Sequence, residues 1–264
     1  MNIMFCGDNN VCTGIALSVL SVIRHVHERT DIFILTAGIG MHNAISEDFA
    51  QKLDKIVTCK NQGSVKLVDI SDKFLSYLPL ANMKTRFTPL CMLRLFADII
   101  DEIPDKVLYM DADVMCRADF SDMYRTDMGK YEIMGVPDRY GKWFFGHQLL
   151  HDYLNSGVLL INMEKIRESG LFEKCRTMCR DKQMFMPDQT ALNKLAVKAK
   201  LPSRYNCQGR IRKDTVFKHF TTYFELLPYF HAVTVKPWDV DKMHEKLGIY
   251  EFDDIIKQYK EYGL

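Results

Sequence analysis

Short apolar runs alternate with helix-length amphipathic segments through the first half of the chain, and that alternation restricts the fold more than any other feature. Asn2–Cys6, Asp31–Ala37 and Val65–Ile70 read as strands, with Thr13–Val26 and Ser46–Val57 as the helices between them. Strand, helix and strand in that order predict right-handed crossovers on a parallel sheet, because a right-twisted strand and a right-handed helix pack back onto a sheet in one hand only. Farther on, "FTPLCMLRLFADII" places Thr88 as an N-cap and Pro89 at the first helical position, and this helix leads into a strand, Val107–Met110. In the second half residues 131–136 and 157–163 read as strands, and Glu164–Arg180 and Asp188–Lys198 as helices. No Pro/Gly/Ser-rich linker, repeat or low-complexity tract divides the chain, so a single α/β domain over 1–264 is expected, with a lobe late in the sequence.

Composition removes several function classes. Of 264 residues, 35 are basic and 34 acidic, a formal charge of +1, so the whole-molecule field offers little long-range attraction to nucleic acid or an anionic membrane and leaves only a local patch open. Eight cysteines sit among apolar neighbours without a CxxC pair, which reads as reduced core thiols. Cys175 and Cys179 would share a helix face, but no histidine or second cysteine pair accompanies them as zinc ligands. The start "MNIMFCGDNN" lacks the basic opening and apolar core of a secretory signal, and no stretch approaches the roughly 20 uncharged residues of a membrane helix. A cytoplasmic location is expected.

Against that frame, "KVLYMDADVMC" raises a question, since two aspartates one residue apart follow a buried strand directly. Charges at such a position are costly unless hydrated, paired or bound to a cation. In extended geometry Asp111 and Asp113 project to one side, giving two hard oxygen ligands for one divalent ion beside phosphate oxygens; a solvated turn is the alternative. Open α/β sheets place ligands at the carboxyl ends of their strands, which favours the cation. In "YFHAVTVKPW", His231 offers an imidazole for a metal shell and Lys236 a point charge for a diphosphate, although a histidine in an apolar run also serves as a plain core residue. "MPDQTALNKL" puts Asp188 and Gln189 at a helix start, suited to a hydroxylated ligand or to simple helix initiation. Asn155, before a strand, and Asp8 to Asn10, after the first strand, suit either ligand contacts or Asx turns. "GIGMHN" fails the GxGxxG pattern and no Walker A lysine occurs, which disfavours hydride transfer and P-loop hydrolysis.

Taken in order, "IMFCGDNN", "LRLFADII", "KVLYMDADV", "LNSGVLLINMEKIR", "PDQTALN", "LPSRYNCQ" and "KPW" resemble glycosyltransferase family 8, the retaining enzymes that include bacterial lipopolysaccharide galactosyl- and glucosyltransferases and glycogenin. The resemblance implies a GT-A fold, with residues 1–115 as the nucleotide-sugar half and 116–264 as the donor-sugar and acceptor half. It implies a UDP-hexose donor, galactose or glucose, a saccharide acceptor, and Mn²⁺ with Mg²⁺ as the alternative. By motif position Asp111, Asp113 and His231 would hold the metal. Asp8 and Asn10, with the backbone around Cys6 and Gly7, would receive uridine; Ala112 would lie against the nucleotide and Lys236 against phosphate. Arg94, Asn155, Asp188 and Gln189 would surround the donor sugar, the last two as the catalytic pair. The family's HxxGxxKPW motif departs here to "HAVTVKPW", one residue shorter and without the glycine. The end "IIKQYKEYGL" differs from the basic, aromatic tail of members that act on membrane lipids, so firm attachment to the inner membrane is not expected.

Two other functions stay open on the residues. A haloacid dehalogenase-type phosphatase also places DxD after a strand, but with threonine or valine where this chain has Met115. A nucleotide-sugar-binding protein without turnover would keep the same pocket.

Overall fold

The computed structural model describes residues 1–85, 88–140, 152–225 and 231–264. Eleven strands are present among them: β1 Asn2–Gly7, β2 Asp31–Thr36, β3 Val65–Asp69, β4 Lys106–Met110, β5 Val114–Cys116, β6 Ile133–Pro137, β7 Leu154–Asn162, β8 Lys198–Lys200, β9 Phe217–His219, β10 Tyr223–Glu225 and β11 His231–Val233. Seven form one sheet in the order β3-β2-β1-β4-β7-β6-β8. The β3-β2-β1-β4 half is wholly parallel, as the strand–helix rhythm predicts, with α1 (Cys12–His25) and α2 (Glu47–Asn61) as the crossovers.

β7 breaks the parallel rule, running antiparallel to both β4 and β6. Buried on both faces, it has no alternating pattern from which its direction or partners follow. The segment expected as one helix from Glu164 is two, Met163–Ser169 and Leu171–Asp181, broken at Gly170, whose φ of +65° only glycine adopts cheaply. Residues Pro89–Ile99 are helical where expected and Thr88 caps them, but they wind as a 3₁₀ helix.

Alternate residues of each central strand feed opposite cores. Ile3, Phe5, Leu108 and Met110 pack with α1 and α2; Met4 and Tyr109 face Leu93, Phe96 and the Leu171–Asp181 helix. A third cluster docks the carboxyl-terminal helices Val240–Leu247 and Asp253–Glu261 through Met243, Phe252 and Ile255 onto Leu17 and Leu20 of α1. All eight cysteines are free thiols. Among the described residues no helix is long and apolar enough to cross a membrane.

Candidate functional site

The strand order reverses between β2 and β4 on either side of β1, so the carboxyl ends of β1 and β4 open a crevice. Asp111 leaves β4 there. The Asp-Ala-Asp stretch is a tight turn, closed by Val114 N–H donating to Asp111 O at 3.1 Å, rather than the extended segment expected. The turn still delivers both carboxylates to one place, because β5 immediately pairs with β9, and β9 ends on His219.

His219, not His231, joins the two aspartates: one ligand atom from each of Asp111, Asp113 and His219 lies within 4.8 Å of the others. His219 Nε2 is 3.2 Å from Asp113 Oδ1 and 3.8 Å from Asp111 Oδ2. His231 instead opens β11, paired with Glu225, and lies outside this group. The hairpin β10–β11 separates the histidine at the site from Lys236-Pro237-Trp238, which displaces the expected spacing.

The tautomer of His219 follows from its neighbours. Asn206 Nδ2 donates to Asn155 Oδ1 at 2.8 Å, which turns Asn206 Oδ1 to His219 Nδ1 at 3.0 Å and makes Nδ1 the protonated nitrogen. Nε2 then presents a lone pair to two carboxylates. Asp113 Oδ1, although 3.2 Å away, makes no hydrogen bond and is buried. Three electron-rich atoms converge without a proton between them, an arrangement that a divalent cation with oxygen and imidazole ligands would satisfy. The charge count agrees: the described residues around the cavity include Asp111, Asp113, Asp138 and Asp188 against the permanent cations Arg94 and Lys236.

The surroundings fix these groups tightly. Arg94, 4% exposed, donates to Asp111 Oδ1 at 2.9 Å and to the Ser156 carbonyl at 2.7 Å, and its Nε lies 3.3 Å from Asp188 Oδ2. Tyr109 donates to the same Asp111 oxygen at 2.7 Å and lies under the Arg94 guanidinium. Lys236 donates to Asp113 Oδ2. Burial alone would raise the Asp113 carboxyl pKa, but the His219 ring in its doubly protonated form and Lys236 outweigh it and hold it well below the usual range. Asp188 goes the other way: burial raises it, Asp111 adds to that, and Arg94 offsets part. Burial also pushes up the Cys6 and Cys91 thiols, which removes them as nucleophiles near neutral pH.

Gln189 is locked from both ends. Its Oε1 accepts from Ser156 N–H at 2.9 Å and Ser156 Oγ at 3.2 Å, while Nε2 donates to Asp138 Oδ2 at 3.2 Å. Asn155 Nδ2 donates to the same Asp138 oxygen at 2.9 Å. Arg94, Asp111, Asp113, Asn155, Asp188, Gln189 and Lys236 thus line one cavity of about 330 Å³. Cys6, Gly7, Asp8, Asn10 and Ala112 do not line it. They sit on the adjoining edge, since the β1–β4 register of Ile3 with Leu108 brings Cys6 level with Asp111. There Asp8 makes the Asx turn, accepting from Asn10 N–H at 3.1 Å and from Asn10 Nδ2 at 2.9 Å, and bonds His42.

Asp138, Asn206, His219 and Gly157 belong to the site without having been singled out in the sequence. A Cβ on Gly157 would come within 2.1 Å of the His219 ring and 2.9 Å of Asp111 Oδ2, so the imidazole reaches the aspartates only over a bare backbone. The sequence Arg139–Tyr153, "RYGKWFFGHQLLHDY", is rich in aromatics and suits an acceptor platform, an exposed interaction face or core packing alike; its residues 141–151 lie outside those described.

Similar proteins and solved structures cover nearly the whole chain. The chain is 27% identical to the lipopolysaccharide 1,2-glucosyltransferase of Escherichia coli (strain K12), over 98% of this chain and 76% of that one. A crystal structure of an active-site mutant of LgtC superposes with a TM-score of 0.73 at 19% identity, covering 99% of this chain and 96% of the other. The galactosyltransferase LgtC in complex with donor and acceptor sugar analogues superposes at 0.68 with 20% identity and the same coverage. The likeness establishes the GT-A fold. The pattern of glycosyl transferase family 8 matches residues 2–242, and the chain belongs to that family.

Proposed function

We propose that this chain transfers a hexose, galactose or glucose, from a UDP-sugar to a saccharide acceptor of a surface glycan such as lipopolysaccharide, with retention of anomeric configuration and dependence on Mn²⁺ or Mg²⁺. The observation that carries the reading is the convergence of Asp111, Asp113 and His219, with one buried Asp113 oxygen left without a hydrogen bond, beside a cavity walled by Asp188 and Gln189. When bound to these three residues, the metal would supply Lewis-acid charge against the diphosphate leaving group.

The chain's own groups do the rest. Lys236 rests on Asp113 and exchanges that partner for a donor phosphate oxygen, adding positive field where charge develops. Arg94 fixes Asp111 and Asp188 at once, so the carboxylates keep their places as substrate enters. Asp188 is engaged by that guanidinium, and the Gln189 amide oxygen is held by two donors from Ser156, which leaves both as positioning groups rather than free nucleophiles. The acceptor hydroxyl therefore attacks on the face that UDP leaves, and the departing phosphate takes its proton. Asp8 and Asn10, with the Cys6–Gly7 backbone and Ala112, receive the uridine at the adjoining edge.

The test is UDP release from UDP-galactose and UDP-glucose with and without Mn²⁺. Slow metal-dependent hydrolysis of at least one is expected even without acceptor. No release from either donor would overturn the reading, and a hexose trapped covalently on Asp188 would overturn the single-step mechanism.

A further inference from the structure

Behind the first cavity lies a second, of about 660 Å³, that shares Tyr140, Gln208, Thr221 and Phe224 with it. Tyr140 and Phe224 meet edge to face at 5.3 Å and form the partition. Thr221 Oγ1, on the same partition, is buried without a hydrogen-bond partner.

The charge in this second cavity is one-sided. Arg139, Arg210, Lys218 and Lys246 line it against a single carboxylate, Glu251, which Arg117 already engages at 2.6 Å. None of the four cations forms an ion pair within the described residues. Lys218 is the telling one. It is 5% exposed, and its ammonium donates to the Gly209 carbonyl at 2.8 Å. An ammonium buried with no carboxylate partner, held by the Gly209 carbonyl and over the Phe220 ring at 5.3 Å, gains when an anion comes to it. Lys218 precedes His219 in β9, and successive strand side chains face opposite ways, so one strand serves both cavities.

We propose that this second cavity is the acceptor subsite and takes an anionic saccharide, one bearing a phosphate or carboxylate group. The inference rests on the transfer reaction proposed above. A glycan that offers its hydroxyl in the first cavity continues past Thr221, whose unused Oγ1 meets a sugar hydroxyl, and sets its charged group among Arg139, Arg210, Lys218 and Lys246.

Calorimetric titration of the full chain, with Mn²⁺ and UDP present, by glucose, glucose 6-phosphate and glucuronate tests this. Both anionic probes should bind about tenfold or more tighter than glucose at low ionic strength, with the difference shrinking in high salt; the order of the two distinguishes phosphate from carboxylate. The surface double variant Arg210→Gln/Lys246→Gln should lose most of that preference and retain hydrolysis of the UDP-sugar. Equal binding of the three probes, or a preference undiminished in the double variant, overturns the proposal. Donor hydrolysis without anion preference sinks the subsite alone, whereas anion preference without donor hydrolysis upholds an anion-binding cavity but sinks the transfer reaction and, with it, the cavity's role as acceptor subsite.

Discussion

His219 Nε2 stands 3.2 Å from Asp113 Oδ1, and no hydrogen bond joins them. Asn206 fixes the proton on the far nitrogen, so the near one is a ligand atom facing a carboxylate. His219→Ala should therefore remove the rise in melting temperature that Mn²⁺ gives the wild type, a stabilisation of about 2.7 kcal/mol at a hundredfold excess over Kd. His231→Ala should keep that response. A melting series with and without Mn²⁺ on both variants decides it, and a response retained in His219→Ala would show that the metal sits elsewhere.

The same cluster predicts a pH dependence. The Asp113 carboxyl lies below its ordinary value in the folded chain, so it contributes stability that is fully present above the usual carboxylate range near pH 4 and is lost progressively as pH falls from there through the lowered folded value. Asp113→Asn removes this group. In chelator, the urea midpoint of the wild type should drop more steeply below about pH 4 than that of the variant, while at pH 7 the variant stays folded and loses Mn²⁺-dependent transfer. Parallel curves for the two proteins would count against the Lys236 and His219 pairing as the cause.

How much of this was legible in the sequence differs residue by residue. Asp111 and Asp113 stood out because charges directly after a buried strand need a reason, and Asp188 and Gln189 because a proline-led helix start displays them. His219 did not, for the hairpin β10–β11 lies between it and Lys236, and His231 occupies the nearer position. Only the pairing of β5 with β9, a contact distant in sequence, tells the two histidines apart. Asp138 follows β6 with no motif around it and acquires its role through Asn155 and Gln189, both remote in the chain. The parallel half of the sheet was readable from local alternation; the antiparallel insertion of β7 was not, since a strand buried on both faces carries no direction.

Arg94 is the structural centre of the site. Its guanidinium serves Asp111, Asp188 and the Ser156 carbonyl at once, which a lysine ammonium cannot reproduce in the same fork. Arg94→Ala leaves two carboxylates without their shared cation and should cost about 3–5 kcal/mol in urea unfolding at pH 7. Arg94→Lys should recover part of that stability and little of the transfer rate. Full activity in Arg94→Lys would mean that the fork geometry does not matter.

Gly157 gives the sharpest separation of site geometry from site chemistry. The residue carries no functional group, yet a single methyl there would occupy the space of the His219 ring and press on Asp111 Oδ2. Gly157 lies in β7, an interior strand paired on both edges, and its carbonyl accepts from Asp111 N–H at 2.8 Å, so the backbone is held and the side chains must give way. Gly157→Ala should thus expel His219 from the cluster and weaken Mn²⁺ binding roughly tenfold to a hundredfold, the range typical when the groups that orient metal ligands are disturbed. Manganese paramagnetic titration reads this directly, and far-ultraviolet circular dichroism checks that the sheet persists. Wild-type manganese affinity in Gly157→Ala would mean that the imidazole is not required at the position the glycine leaves open.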